Sequence, residues 1–252
     1  MRTSTKRYSG GLALVGSYTW SKLLTDADDT EPWIAFGLGA GRGNSLIGAQ
    51  NQYNRSLEKS YSVLDTPSML KITVSYGFPF GKGKAYLANG VLGRIVGNWN
   101  IGAYVFGQSG YPMAVTDTGY PNNLFGGTPR PNVLTSNWLL PYSGTFDPSV
   151  DKFLDPSAFA RRTNPAADPF GNAPVYNGAS RFFPLYGDNI SVARRINVHE
   201  KANLDFRWEV YNLLNHHRWN NPVSIDMSNS QFGVIANATG SRSMQGTLKL
   251  VF

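Results

Sequence analysis

This chain of 252 residues contains no cysteine, only three histidines and few charged side chains. Because thiols are missing, a disulfide scaffold and any thiolate metal site are excluded. Charged residues make up 15% of the chain, whereas roughly a quarter is usual in soluble domains. Together with 27 glycines and an aromatic content of 13%, this scarcity indicates a surface exposed largely to something other than water. The net charge of +7 therefore does not point to nucleic-acid binding.

Long apolar runs are missing as well, since none approaches the ~18 residues of a transmembrane helix. Residues 1–7 are basic and residues 10–16 (GGLALVG) are apolar, which superficially matches a signal peptide. However, alternation of large and small side chains continues through Tyr18 and Trp20, and no A-x-A cleavage pattern follows. We therefore expect a strand here, with the secretion signal further upstream and this chain a fragment.

Side chains alternate with period two in several long segments, which is typical of strands with one apolar face. Ile72 and Val74, for example, alternate with Lys71, Thr73 and Ser75. Each segment has roughly the nine to eleven residues that a tilted strand needs to cross a bilayer. The six predicted strands lie near residues 8–22, 68–78, 95–108, 188–198, 201–213 and 242–252.

The connections between these strands alternate between long and short. Residues 24–67, 111–187 and 215–241 form long loops, and the second of them holds 11 of the 15 prolines. The connections at 79–94 and 198–201 are short. This order is typical of outer-membrane barrels, which have short periplasmic turns and long extracellular loops. The sequence therefore predicts an all-β, antiparallel segment of a transmembrane β-barrel.

This topology predicts that the long loops lie outside the cell and that the C-terminus is periplasmic. Aromatic residues then form two girdles where their rings meet the lipid head groups. Tyr8, Phe78, Trp99 and Phe252 are expected near the periplasmic ends, and Tyr18, Trp20 and Trp208 near the outer ends.

Several short motifs resemble a known family. Residues 242–252 (RSMQGTLKLVF) resemble the closing strand of bacterial outer-membrane barrels, and residues 206–215 (FRWEVYNLLN) resemble the penultimate strand of TonB-dependent receptors. Residues 76–84, 97–99, 108–112, 130–132 and 232–233 (YGFPFGKGK, GNW, QSGYP, RPN and FG) are similar to the Oar-like group, whose N-terminal domain is carboxypeptidase-regulatory-like. The order of these motifs along nearly the whole chain is the specific signal.

The resemblance implies that residues 1–252 are the C-terminal barrel portion of a TonB-dependent receptor in the bacterial outer membrane. It implies active uptake of a scarce ligand, driven by TonB acting on an N-terminal plug that this sequence lacks. Expected partners are outer-membrane lipid, the barrel assembly machinery, the plug, TonB and an extracellular ligand, but not nucleic acid. A passive porin, an outer-membrane adhesin and a secreted soluble β-rich carbohydrate-binding protein or hydrolase remain alternatives.

Candidate functional residues lie in the longest loop and at the C-terminus. Aromatic side chains of the loop are candidates for stacking on a sugar or an aromatic ligand, because binding residues concentrate on loops carried by a rigid scaffold. These are Tyr111, Tyr120, Trp138, Tyr142 and Phe146. The alternative is that these rings pack the loop on itself. At the C-terminus, Leu248, Leu250 and Phe252 form an alternating stretch that the resemblance identifies as the assembly signal.

Catalytic, cofactor and metal sites are not expected. Asp26, Asp28, Asp29 and Glu31 could supply oxygen ligands to Ca²⁺, but the EF-hand spacing is missing, and a solvated loop is favoured. The glycine-rich residues 37–43 lack the strand-to-helix context of a phosphate loop. The adjacent pair His216 and His217 points to opposite sides of an extended chain. We therefore predict no enzyme activity.

Overall fold

The computed structural model describes residues 2–26, 49–51, 53–120, 128–164, 166–199 and 202–252. Strands dominate this part of the chain, accompanied by the short α-helix α1 (Gly90–Val96) and two 3-10 helices (Arg55–Glu58 and Pro156–Ala158). The long strands are β1 (Arg2–Ser9), β2 (Leu12–Trp20), β5 (Ser68–Gly77), β6 (Trp99–Gln108), β11 (Leu185–His199), β12 (Ala202–Tyr211) and β15 (Ser243–Val251). The short strands are β3 (Leu24–Thr25), β4 (Ser60–Tyr61), β7 (Pro112–Met113), β8 (Asn132–Val133), β9 (Phe159–Ala160), β10 (Asn177–Arg181), β13 (Arg218–Trp219) and β14 (Ala238–Thr239).

The long strands form one sheet of seven strands in the order β1-β2-β5-β6-β11-β12-β15, and each neighbouring pair is antiparallel. This confirms the all-β, antiparallel fold class. Within the described residues, β1 and β15 are the two edges of the sheet.

The register of the sheet aligns the apolar positions of successive strands. One row of partners across six strands consists of Leu14, Val74, Ala103, Ile190, Val210 and Met244. The adjacent row, whose side chains point to the other face, consists of Val15, Thr73, Tyr104, Asn189, Tyr211 and Ser243. The alternation in the sequence therefore produces one continuous apolar face and one mainly polar face.

Charged side chains on the polar face pair with each other. The guanidinium of Arg195 lies 2.6 Å from the carboxylate of Asp205, and that of Arg207 lies 2.6 Å from Glu209. These pairs are consistent with the polar wall that the sequence predicts.

The first strand differs from the prediction. Instead of one strand over residues 8–22, the chain turns at Gly10 and Gly11, and β1 precedes the turn as a seventh strand. Both glycines have positive φ, 59° and 86°, a conformation that glycine adopts without the steric cost of a Cβ. A Cβ on Gly11 would also lie 2.4 Å from the carbonyl oxygen of Gly77.

Two further boundaries differ from the prediction. Helix α1 includes residues 95 and 96, the first two of the third predicted strand (95–108). Strand β6 therefore begins only at Trp99. Asn98, directly before it, has a φ of 60° and turns the chain into the sheet. Strand β11 spans fifteen residues and is longer at both ends than predicted.

The two ends of the sheet differ in the length of their connections. The turns after β1, β5 and β11 lie at one end, called the short-turn end below, and the long connections after β2, β6 and β12 lie at the other. Phe252 follows β15 at the short-turn end. The register places Phe78 and Trp99 at the short-turn end, and Tyr18 and Trp20 at the long-loop end. No helix within the described ranges is long and apolar enough to cross a membrane.

Candidate ligand-binding module

The long loops do not remain separate but pack around one shared apolar core. We call their described residues within 49–67, 109–184 and 212–242 the loop module. Its largest fully buried apolar side chains are those of Trp138, Met113, Leu154 and Val115, all from the second loop. Ile225 and Ile235 of the third loop lie in the same cluster, and Tyr61 and Val63 of the first loop pack against it. The proline-rich loop is therefore a folded layer with a core of its own.

Short backbone pairings hold the module together between its apolar contacts. Strand β7 pairs with β10, β8 with β9 and β13 with β14, while β4 pairs with β3, which lies outside the module. Isolated bridges link Thr116 to Asp226 and Leu139 to Leu154. These pairings satisfy backbone polar groups of segments that bury their apolar side chains.

A buried ion pair joins the first loop to the second. The Arg130 guanidinium donates from Nη1 to Oε2 of Glu58 at 2.7 Å and from Nη2 to Oε1 at 3.0 Å, and both side chains are buried. Next to them, the amide of buried Gln50 donates to the carbonyl of Gly171 at 2.9 Å and accepts from the Arg130 N–H at 3.0 Å. A bidentate ion pair of this kind fixes the orientation of the two loops relative to each other.

A second ion pair ties the module to the rim of the sheet. Arg181 Nη2 lies 2.6 Å from Oδ2 of buried Asp65, and Arg181 Nη1 also donates to the carbonyl of Gly110 at 3.1 Å. The other carboxylate oxygen of Asp65 accepts from the N–H of Leu23 at 2.6 Å. Since these residues adjoin β2, β5 and β6, the pair fixes the module on three neighbouring strands.

A third polar cluster joins the second loop to the third. Asp226 accepts from the hydroxyl and the N–H of Thr118, and the hydroxyl of Ser228 accepts from the N–H of Gly119 at 2.6 Å. Burial raises the pKa of the Asp226 carboxyl, but its hydrogen bonds with Thr118 and Ser228 outweigh burial, so that the pKa lies below its ordinary value. Arg161 links this cluster to buried Asp117 at 3.0 Å.

The five aromatic residues predicted to stack on a ligand have unequal environments. Trp138, Phe146 and Tyr120 are buried, and Trp138 packs against Phe159 with ring centroids 5.1 Å apart. These three rings pack the module rather than presenting open faces. Tyr142 is 44% exposed and lies edge-on to Phe146, while Tyr111 is half-buried. Stacking on a ligand stays a prediction for all five residues, among which Tyr142 and Tyr111 have the more accessible rings.

A groove with a volume of ≈ 510 Å³ lies beside Tyr111, where the second and third loops meet. Its apolar wall comes from Phe182, Phe183 and Trp219, whose ring centroid lies 5.6 Å from that of Phe146. Its remaining lining residues are Leu185, Arg218, Asn220, Asn221, Pro222 and Thr239. Aromatic faces combined with amide and guanidinium groups can hold a sugar or an aromatic ligand, since such sites combine apolar walls with a few polar groups.

The sequence prediction missed the groove residues Phe183, Arg218 and Trp219. The dense cluster HHRWNN at residues 216–221 was the available signal, because it combines an aromatic with amides in a long loop. The ring centroid of His217 lies 6.1 Å from that of Trp219.

Metal-ligating residues do not converge in the described part of the chain, where no group of three His, Cys, Asp or Glu side chains could hold an ion. Asp26 is described, and its carbonyl accepts from Arg55 at 2.6 Å. The other three acidic residues of the Ca²⁺ candidate, and the glycine-rich residues 37–43, lie outside the described residues.

The C-terminal strand presents the three predicted signal residues on the apolar side. Leu248 pairs with Phe206 and Leu250 with Leu204, and both leucines are exposed. Phe252 is 95% exposed. Strand β15 pairs with β12 along one side only, so its outer edge is free among the described residues.

The chain matches the family model described as "Outer membrane beta barrel domain" over residues 2–245. No curated protein and no solved structure matches it. The match spans nearly all of the chain and agrees with an antiparallel sheet that has one continuous apolar face. This chain belongs to the outer membrane beta barrel domain family.

Proposed function

We propose that this outer-membrane protein is the C-terminal portion of a TonB-dependent receptor that actively imports a scarce ligand. The observation that carries the proposal is the loop module, in which three loops form one folded layer with an aromatic groove on one rim of the sheet. The family-like motifs of the sequence point to the same class. In this proposal the chain supplies wall strands and ligand contacts, and it catalyses no reaction.

The orientation and the partners are part of the proposal. The loop module faces the exterior and binds the ligand, while the short-turn end and Phe252 face the periplasm. Lipid-exposed strand edges are not viable in a bilayer, so in this proposal β1 and β15 pair with further strands. We infer that these strands, the plug and the TonB contact belong to a preceding part of the same receptor.

Energy dependence of uptake separates this proposal from the alternatives. Cells expressing the full-length protein are given radiolabelled oligosaccharides, ferric siderophores and short peptides in separate assays, and retained label is measured. We expect one class to be retained in the wild type, and to be lost in a strain lacking TonB or after treatment with a protonophore. Label that still enters without TonB would indicate a passive porin.

The groove provides a more specific version of the same assay. Trp219→Ala should reduce retention of the imported class, because the ring forms part of the groove wall. Val150→Ala is the matched control, since this exposed side chain of the same module lies outside the groove residues. Equal uptake by the two variants would remove the groove from the proposed ligand path.

Deleting Phe252 should lower the amount of assembled protein more than it lowers synthesis. The exposed ring follows the alternating apolar side chains Leu248 and Leu250 of edge strand β15. A free strand edge is a template for recognition by strand addition. Phe252→Tyr and Phe252→Trp should be mild, because both retain an aromatic body. The measurement is outer-membrane abundance relative to total protein in a protease-deficient strain, and an unchanged ratio after the deletion would exclude the assembly-signal role.

A further inference from the structure

An apolar projection stands at the short-turn end, between β5 and β6. We call residues 79–98 the interface hairpin, and it contains α1. Its helical side chains Val91, Leu92 and Ile95 are 71%, 65% and 59% exposed, and Tyr86 and Leu87 beside them are exposed as well. Exposed apolar residues that cluster in this way mark an interaction surface, whereas single ones need no explanation.

Close backbone contacts make this projection a defined structure. A Cβ on Gly97 would lie 2.6 Å from the Cα of Gly81, and a Cβ on Gly93 would lie 2.0 Å from the carbonyl oxygen of Leu87. The N–H groups of Gly81 and Tyr86 donate to the carbonyls of Tyr86 and Pro79 at 3.0 and 2.9 Å. The glycines therefore permit a compact fold that holds the apolar side chains outward.

The interface hairpin is attached to the apolar face of the sheet. Trp99 donates from Nε1 to the carbonyl of Ile95 at 3.2 Å, and Arg194 Nη1 donates to the same carbonyl at 2.9 Å. Arg194 Nη2 also donates to the carbonyl of Arg94. By register, Trp99 pairs with Arg194 and Arg194 with Phe206, in the row continuous with the apolar face. The exposed side chains of α1 therefore extend the surface that faces lipid in this family of barrels.

The interface hairpin itself carries charge of one sign. Residues 66–116 contain no aspartate or glutamate, while Lys82, Lys84 and Arg94 lie within the hairpin. Lys82 and Lys84 line one groove with Arg195 of β11, and Lys82 and Arg94 line a second groove with Arg194 and Arg195. Apolar side chains next to basic ones are typical of segments that lie at a membrane surface and attract anionic lipids.

We propose that the interface hairpin is a membrane anchor, whose helix α1 inserts Val91, Leu92 and Ile95 among the acyl chains of anionic glycerophospholipids. Lys82, Lys84 and Arg94 then contact the phosphate groups of the same lipids. The apolar side chains enter the head-group and acyl boundary to a depth of about 5–10 Å. Assignment to the periplasmic leaflet rests on the orientation in the proposed function, whereas lipid contact at the short-turn end does not.

The test uses the absence of cysteine from residues 1–252, with any cysteine elsewhere in the full-length protein replaced by serine so that labelling is confined to one site. Full-length Leu92→Cys protein carries an environment-sensitive fluorophore and is reconstituted into vesicles of phosphatidylglycerol with brominated acyl chains. Val150→Cys is the matched control, because that side chain is 77% exposed in the loop module. We expect brominated lipid to quench the probe at position 92 several-fold more than at 150, and aqueous iodide to show the reverse order. Iodide access at 92 equal to that at 150 would overturn the proposal.

A second measurement tests the lipid charge. Quenching at position 92 should be stronger in phosphatidylglycerol than in phosphatidylcholine, and Lys82→Gln with Lys84→Gln should reduce the difference, since only Arg94 of the three basic residues remains. Equal quenching in the two lipids for the unsubstituted hairpin would overturn the assignment of an anionic lipid. Neither measurement depends on uptake, so a protein that shows lipid contact but no TonB-dependent uptake would refute the proposed function alone.

Discussion

Val74→Arg is expected to destabilise the assembled protein by roughly 2–4 kcal/mol, the cost of an arginine facing lipid near the bilayer midplane. Val74 lies in the apolar row between Leu14 and Ala103. Its replacement places a guanidinium where the neighbouring side chains offer no polar partner. The measurement is urea unfolding of the full-length protein in lipid vesicles, followed by the loss of heat-modifiable migration on gels.

Thr73→Arg is the matched control for this experiment. Thr73 is the preceding residue, and it lies in the adjacent row between Val15 and Tyr104, on the mainly polar face. The arginine should be tolerated there, because that face already carries Lys71 and the ion pairs of β11 and β12. Equal destabilisation by the two variants would contradict the assignment of the faces.

Arg130→Ala is expected to unfold the loop module locally, with a loss of about 3–5 kcal/mol, because it leaves the Glu58 carboxylate buried without its partner. It also removes a link between two loops, whose paired residues are 72 positions apart in the sequence. The measurement is limited proteolysis of the full-length protein in outer membranes. New cleavage within 128–164 should appear while the heat-modifiable barrel persists.

Two further variants distinguish the effect of an unpaired buried charge from the effect of lost side-chain volume. The double variant Arg130→Met with Glu58→Leu should be more resistant to protease than Arg130→Ala, since no buried charge remains unpaired. Arg195→Gln breaks a pair that is exposed to solvent and should have little effect. A protease pattern for Arg130→Ala that matches the wild type would mean that the pair does not hold the loops together.

Alternation was sufficient to predict the apolar face because each strand carries that information locally. Leu14, Val74 and Val210 each lie within a period-two segment, and the register of the sheet brings these positions into one row. Strand β1 was not predicted, because it lacks this local information. Its sequence, RTSTKRYS, is polar at nearly every position and shows no apolar period. The turn at Gly10–Gly11 was also hidden, because small residues there fit the alternating pattern.

The loop module was not predictable because its contacts join residues far apart in the chain. Trp138 and Tyr120 have the same local appearance in sequence whether they face a ligand or a core. Only the packing of the second loop on Ile225 and Tyr61 decides that Trp138 is buried. Likewise, the sequence near Glu58 does not indicate that Arg130 is its partner. An ion pair between loops depends on the relative placement of whole strands.

The long sequence separations within the loop module also determine when it can form. Gln50 bonds to Gly171 across 121 residues, Asp65 to Arg181 across 116, and Thr118 to Asp226 across 108. Contacts between residues so far apart in the sequence form slowly. The chain loses the conformational entropy of closing each long segment before it gains the contact. The third loop is synthesised after the other two, so the module is expected to condense only once residues of all three loops are available. Until then Trp138, Phe153 and Phe159 lack their partners, and the chain in transit to the membrane should aggregate unless a chaperone holds it.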